Sequence, residues 1–400
     1  MSDPGHTGLP IALPSADERA FALLAEEGLG DLFHLRQHHA CCLVDRYAAA
    51  LAVAIAIRLD LPRQLEMPRP LARLIEACHF VPTFAPALHW LLEMLVQQGA
   101  VQRGADGYLC CATLCVPDVD AIRTAGLAVD PSYEPAYALL DEAAALYPRV
   151  AWGEVTAERA LFLRVRLWQA YFSNANGYYA LGNYVAARAA AQRLVEAGGG
   201  PVLEVGAGLG SASEALFETL ASTQALGLVE RYLLTEPVPF FRRRAEAAIR
   251  ERWPQLPVHA APLDIDNAPW ASSTPTRREA YALVWGVNVF HLARDLDAAL
   301  ATARQALRPG GWLVVGEGFR PRPFEAVAAE LPFRLLPGYS DVVLDTQRRP
   351  TPGFLTAAAW QAALERTGFE GVRLLPAVER LQRHYDGFLA GAACGRRPAA

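Results

Sequence analysis

GPVLEVGAGLGSASEAL, residues 200–216, is the stretch whose reading decides the fold. Pro201 to Val205 reads as a short apolar strand. Gly206, Gly208 and Gly210 permit a tight turn with close backbone approach, and Ser211 to Leu220 has the pattern of a helix. Strand, glycine turn and helix in this order make a nucleotide cradle. The last glycine falls one residue early for G-x-G-x-x-G, because Ser211 occupies the third position, so a dinucleotide pyrophosphate fits less well than another adenosine cofactor. Glu204, inside the strand end, is expected to repel phosphate and attract an ammonium.

Beyond the turn, strands and helices alternate as in a doubly wound α/β sheet. Arg231 to Thr235 is a second strand ending in Glu236 and Pro237, before a helix from Pro239 to Glu251. An acid at that tip lies within reach of both hydroxyls of a ribose seated on the glycine turn. Val258 to Leu263 follows, with Asp264 expected to accept from an adenine amino group and Ile265 to pack on its ring. Tyr281 to Trp285 is the fourth strand, and its end carries Asn288, Phe290 and His291. After a helix from Asp295 to Leu307 and a turn at Pro309-Gly310-Gly311, the strand Trp312 to Gly316 finishes at Glu317. The carboxyl ends of strands in open α/β sheets form the binding crevice, so adjacent ends supply one histidine and one glutamate. A carboxylate holding one imidazole nitrogen fixes the tautomer and raises basicity, leaving the other nitrogen to take a proton. His291 therefore reads as a general base and Glu317 as its partner; a structural histidine at a helix start is the competing reading. Gly353 to Gly368 is helical, Gly371 to Leu375 and Gly387 to Cys394 are closing antiparallel strands, and the insertion Arg320 to Pro352 has the makings of a lid.

At 400 residues, with 52% hydrophobic and 20% charged side chains, the chain is long enough for two domains with real cores. A net charge of −5 gives no electrostatic case for nucleic acid or an anionic membrane. All 37 basic residues are arginine, which excludes a P-loop lysine, a Schiff-base lysine and a lysine general base. The start MSDPGHTGLP lacks the pattern of a secretory leader, and the apolar run Tyr47 to Ile57 is roughly half a membrane span. With 7 irregularly spaced cysteines, the expectation is free thiols and a cytoplasmic location.

Upstream, Ser15 to Glu27 reads as a helix with Ser15 as N-cap and Glu18 completing a capping box. Asp31 to Asp60 is a long helical stretch, apolar nearly all round in its middle, which needs burial against another element or a second copy; a homodimer is the economical reading. His34, His38, His39, Cys41 and Cys42 cluster there, but no carboxylate or Cys-x-x-Cys completes a metal site, so no metal is expected. Leu71 to Cys78 and Ala85 to Gly99 are helices, and Ala100 to Leu109 is a hairpin turning at Ala105-Asp106-Gly107. Helix, helix and hairpin look like a winged helix. Its second helix has almost no basic residue to set against phosphates, so dimerisation is favoured over DNA binding. Asp130 to Ala197 is helical with an irregular aromatic and amide patch, Phe172 to Tyr184. Within it Tyr178 and Tyr179 suit a substrate or adenosine wall, with interdomain packing as the alternative.

Glu204-x-Gly206-x-Gly208-x-Gly210 resembles the first motif of class I S-adenosylmethionine (SAM) methyltransferases. Asn288-Val289-Phe290-His291, Arg308-Pro309-Gly310-Gly311, Glu317, Leu335 to Tyr339 and Arg348-Arg349-Pro350 are similar to polyketide synthase C-methyltransferase domains. That resemblance implies His291 and Glu317 as catalytic dyad. It departs at Gly338-Tyr339-Ser340, where the family commonly has Gly-Trp-Trp. The N-terminal half resembles the dimerisation module of small-molecule O-methyltransferases. Together these imply a Rossmann-like methyltransferase sheet (199–400), a helical connector lining the site (129–198) and a winged-helix dimerisation domain (1–128). The implied cofactor contacts are Glu204, Gly206, Gly208, Gly210, Glu236, Pro237, Asp264, Ile265 and Asn288; the implied acceptor contacts are Tyr178, Tyr179, Phe290 and Tyr339. The expected activity is methyl transfer to a phenolic or enolic oxygen of a polyketide-like or aromatic small molecule. The alternatives are a β-keto carbon delivered by an acyl carrier protein, a SAM-retaining cyclase, and a SAM-sensing regulator.

Overall fold

A computed structural model describes residues 12–115, 117–267, 270, 279–385 and 387–399. The opening decapeptide, read above for a leader, lies outside the described residues. Asp17, and not Ser15, caps the first helix: its carboxylate accepts from Arg19 N at 2.8 Å, and α1 runs Glu18–Glu26. A charged cap at this place also opposes the positive end of the helix dipole.

His34 caps α2 (Leu35–Arg58) through Nδ1, which accepts from Gln37 N at 3.2 Å. His38 and His39 bond instead to the carbonyls of Ser15 and Pro14. Helix α2 is longer than its central apolar run, long and apolar enough to cross a membrane, yet 61% of its most apolar window is buried inside the protein. The cover comes from α5 (Ala85–Gln97), reached through α3 (Leu61–Gln64) and α4 (Leu71–Ala77), and from α6 (Val119–Val129) and α7 (Glu134–Ala151). The apolar face that called for a second copy is thus covered by the same chain.

Between α5 and α6 lies the expected hairpin, β1 (Val101–Gly104) with β2 (Gly107–Cys110), tied to α5 because buried Glu93 accepts from Tyr108 OH at 2.7 Å and Arg103 Nη1 at 2.9 Å. The helices α8 (Ala157–Phe162), α9 (Val165–Tyr171) and α10 (Gly177–Glu196) follow. The irregular patch is shorter than expected. Only Phe172 to Asn176 separates α9 from α10; Asn176 caps α10, so Tyr178, Tyr179, Asn183 and Tyr184 ride on a helix.

The second half alternates β3 (Gly200–Val205), α11 (Ser211–Ser222), β4 (Val229–Thr235), α12 (Pro239–Arg252), β5 (Val258–Ala261), β6 (Tyr281–Val287), α13 (Leu296–Ala306) and β7 (Leu307–Gly318). After α14 (Pro337–Ser340) and α15 (Ala357–Arg366) it closes with β8 (Glu370–Leu375), α16 (Val378–Gln382) and β9 (Ala390–Arg396). The sheet order is β5-β4-β3-β6-β7-β9-β8, parallel from β5 to β7, with β9 antiparallel to both β7 and β8. Pro309-Gly310-Gly311 does not precede the fifth parallel strand but lies inside β7, where the pairing with β6 shifts register. Glycine is required there: a Cβ on Gly311 would stand 2.9 Å from Tyr281 O.

The cores divide unevenly. Residues 326–335 of the insertion, through Ala326, Ala328, Leu331 and Leu335, share the core of the N-terminal helices. Conversely α1 and the residues to Phe33 pack against the sheet with Leu296, Trp360 and Phe388.

Candidate active site

Glu317, at the end of β7, grips the turn after β6 at two points. Its Oε2 lies 2.6 Å from His291 Nδ1, and its Oε1 accepts from the His291 backbone N–H at 3.2 Å. Both residues are buried. An ionised carboxylate only accepts, so this contact puts the proton on Nδ1 and leaves the Nε2 lone pair available. The imidazole is edged by Phe354 and Tyr339, with centroids at 4.9 and 5.5 Å. Arg349, buried, donates from Nη1 to Ala293 O at 2.6 Å and from Nη2 to His291 O, clamping the turn from behind. Burial pushes this guanidinium down to about 10.

Across the β3 edge of the crevice the glycine turn is built as the sequence suggests. Gly206, Gly208 and Gly210 all have positive φ, at 67°, 55° and 87°. A Cβ on Gly206 would meet Val289 at 2.4 Å, whereas one on Gly208 would meet nothing within 4 Å. Glu236, at the tip of β4, accepts from Gly208 N at 3.0 Å and from Val238 N at 2.9 Å. It therefore holds the turn open with lone pairs to spare for ribose hydroxyls. Burial raises its carboxyl pKa, opposed by those two N–H groups. Pro237 is exposed beside it. Asn288 stands at the end of β6 in the left-handed region, φ 53°. This open, carboxylate-backed turn fits an adenosine ligand carrying no phosphate.

Two expected cofactor contacts sit differently. Glu204 does not face the crevice: its Oε2 accepts from Ser213 Oγ and, at 2.7 Å, from Tyr232 OH, in the layer between the sheet and α11. Burial there pushes its carboxyl up to about 7. Asp264 is exposed and accepts from Asp266 N and Asn267 Nδ2, both at 3.0 Å, within its own turn, with Ile265 half-buried next to it.

A cavity of about 500 Å³ opens from the dyad. His291, Glu317, Asn288, Tyr178, Tyr179 and Tyr339 all line it. Tyr179 reaches toward Ser211 and Asn288, and burial pushes its hydroxyl up to about 12. Phe290 does not line the cavity; its side chain is wholly buried in the core beneath the sheet, because the turn that presents His291 turns the preceding residue inward. The insertion roofs the space: Phe333 stacks on Tyr339 at 5.7 Å, and Tyr339 OH donates to Glu330 Oε1 at 3.0 Å. Glu330 is fully buried between Arg320 and Arg334, at 2.6 and 2.9 Å. Arg349 belongs to the Arg348-Arg349-Pro350 run singled out in the sequence, though not as a clamp on the His291 turn; Glu330 did not stand out, although a pair of arginines spaced around one acid in an apolar insertion was the available signal. Among the described residues no three His, Cys, Asp or Glu side chains converge as a metal site would need.

A family model described as "Methyltransferase domain" matches residues 203–313, the span from the glycine turn to β7. A highly reducing polyketide synthase, NEC1 of Pyricularia oryzae (strain 70-15 / ATCC MYA-4617 / FGSC 8958), is 30% identical over 171 residues, 43% of this chain; the chain spans only 6% of that synthase. Among solved structures, the CurJ carbon methyltransferase superposes with a TM-score of 0.76 at 20% identity, over 95% of this chain and 99% of that one. The DszA carbon methyltransferase gives 0.70 at 22% identity, over 100% and 98%. The likeness of fold extends through the N-terminal helices as well as the sheet, and the domain match falls on the turn and strands that frame the dyad: residues 203–313 are a methyltransferase domain of the class I S-adenosylmethionine-dependent kind.

Proposed function

We propose that this methyltransferase acts on carbon, methylating the α-position of a β-ketoacyl thioester of polyketide type. The observation that carries this reading is the buried His291–Glu317 pair, whose Nδ1 is committed to the carboxylate and whose ring lines an aromatic cavity. A β-keto α-proton needs a base of this kind, and exclusion of water protects the carbanion equivalent that results. SAM supplies an activated methyl on sulfonium. This chain's residues do the rest: the glycine turn and Glu236 seat the adenosine, His291 Nε2 takes the acceptor proton, and Glu317 stabilises the imidazolium. The oxygen acceptor expected from the N-terminal half loses its support, because carbon methyltransferases of the same fold carry that half too.

Delivery by a carrier protein is supported by the cavity mouth. Phe162 at the end of α8 lines the cavity yet is 56% exposed, so the space opens to the surface beside an apolar ring that an incoming carrier can cover. The test is incubation with SAM and the N-acetylcysteamine thioester of a 3-oxoacid, with the product located by NMR. We expect a new methyl doublet on the α-carbon. A methoxy singlet, or no mass gain with any 3-oxoacyl thioester, overturns the reading.

A further inference from the structure

The acceptor cavity has a second end. Away from the dyad it is lined by Phe33, Gln37, Cys41, Asp45, Tyr178 and Tyr385. Asp45 is the sole acidic residue in α2, a helix otherwise apolar through its middle. The thiols beside it and the adjacent arginine each have another partner. Cys41 Sγ lies 3.5 Å from Tyr133 OH, Cys42 Sγ lies 3.5 Å from Tyr385 OH, and the adjacent Arg46 turns outward to donate to Ala12 O at 2.8 Å. The Asp45 carboxyl has no hydrogen-bond or ion-pair partner among the described residues, and it opens on the cavity. Its electrostatic neighbours are Tyr137, Tyr178, Tyr385, Cys41 and Cys42, none of which belongs to the His291, Tyr339 and Phe354 group.

Asp45 is half-buried and its carboxyl faces the cavity with no protein group to satisfy it, which leaves its oxygens to a ligand. We propose that Asp45 is a specificity-determining residue for the acceptor's distal end, hydrogen-bonding a hydroxyl group carried on the acyl chain away from the reacting carbon. The proposal rests on the cavity being the acceptor site, as argued above. The lining favours a hydroxyl over an ammonium. Burial pushes the carboxyl up to about 7, so near neutrality both protonation states are populated. A hydroxyl donates to the ionised form and accepts from the neutral one, so it is held in either state, whereas the ionic part of an ammonium's attraction is present only with the ionised form. The cavity volume also exceeds what a short β-keto unit fills, leaving the Asp45 end for the remainder of the chain.

The test compares N-acetylcysteamine thioesters of 3-oxooctanoate and of its chain-hydroxylated analogues as methyl acceptors. Wild type, Asp45→Asn and Asp45→Leu are each first checked for SAM binding by calorimetry. In the wild type, at least one hydroxylated analogue should have a KM about tenfold or more below the parent. That ratio should shrink in Asp45→Asn, which keeps the shape and some hydrogen bonding, and approach unity in Asp45→Leu. If Asp45→Leu fails to bind SAM, the isosteric amide alone decides. A wild type that does not prefer any hydroxylated analogue, or a preference surviving both substitutions, overturns the role of Asp45 while leaving carbon methylation standing. Failure of wild type to methylate the whole set overturns carbon methylation itself, and the Asp45 proposal with it.

Discussion

At the scale of single residues, the dyad and Glu204 carry opposite electrostatic designs. His291 is positioned to gain a proton, so His291→Ala should lower kcat by a factor of about 10² to 10⁴ with SAM affinity retained in calorimetry. Glu317→Gln keeps the shape but removes the charge that steadies the imidazolium; a loss of about 10-fold or more in kcat is expected, with little change in KM. Equal loss of SAM binding in both variants would mean a structural pair. Glu204 works on stability instead. Its carboxyl rises from an ordinary 4.5 to about 7 on folding, so the folded state holds a proton that the unfolded chain has released between those values. Its share of stability is whole below about 4.5 and is lost as pH rises through about 7. Glu204→Gln should therefore gain on the wild type between pH 5 and pH 8, by up to roughly 3 kcal/mol, in urea unfolding at the two pH values. His291, Glu317 and Glu236 were legible in the sequence because strand ends in this fold face the crevice. Glu204 misled because a strand places alternate side chains on opposite faces, and the count back from the glycines does not say which face holds the helix.

At the scale of elements, the glycine turn separates two kinds of strain. Gly206 faces Val289 at 2.4 Å from a would-be Cβ, while Gly208 faces open space, and both have positive φ. Gly206→Ala should destabilise the fold by about 1 to 3 kcal/mol, measured as a drop in the urea midpoint. Gly208→Ala should lose only about 1 kcal/mol to backbone strain but weaken SAM by tenfold or more, since its methyl enters the ligand's space. Equal effects of the two on both readouts would contradict a ligand over Gly208. The strands and helices around this turn were readable almost to their ends, their apolar periodicity being unbroken. The Pro309-Gly310-Gly311 segment was not, since a turn composition inside a strand reveals itself only when the partner carbonyl of Tyr281 is seen beside it. Phe290 escaped for a similar reason: the turn around it reverses direction within three residues.

At the scale of the whole molecule, the insertion joins the halves. Glu330 sits between Arg320 and Arg334 while also accepting from Tyr339 OH and, at 3.1 Å, from Phe354 N. Burial works against its ionisation, but the two guanidiniums outweigh it and hold the carboxyl below its ordinary value. Glu330→Ala would leave both cations buried and unpaired, so a loss of about 3 to 5 kcal/mol is expected in urea unfolding, with acceptor turnover falling before SAM affinity does. A loss under about 1 kcal/mol would show that the roof is not held this way. The lid over the acceptor was legible in the insertion's sequence, but not its second role: many of its apolar residues belong to the core of the N-terminal helices, where Trp90 Nε1 donates to Val327 O at 3.1 Å and Tyr147 OH to Leu331 O at 2.9 Å. For anyone recombining such enzymes, Gly198-Gly199-Gly200 looks like a natural crossover point and is a poor one. A chimaera spliced there inherits a roof cut to fit a different floor, and it should keep its grip on SAM while losing the chamber in which the methyl is spent.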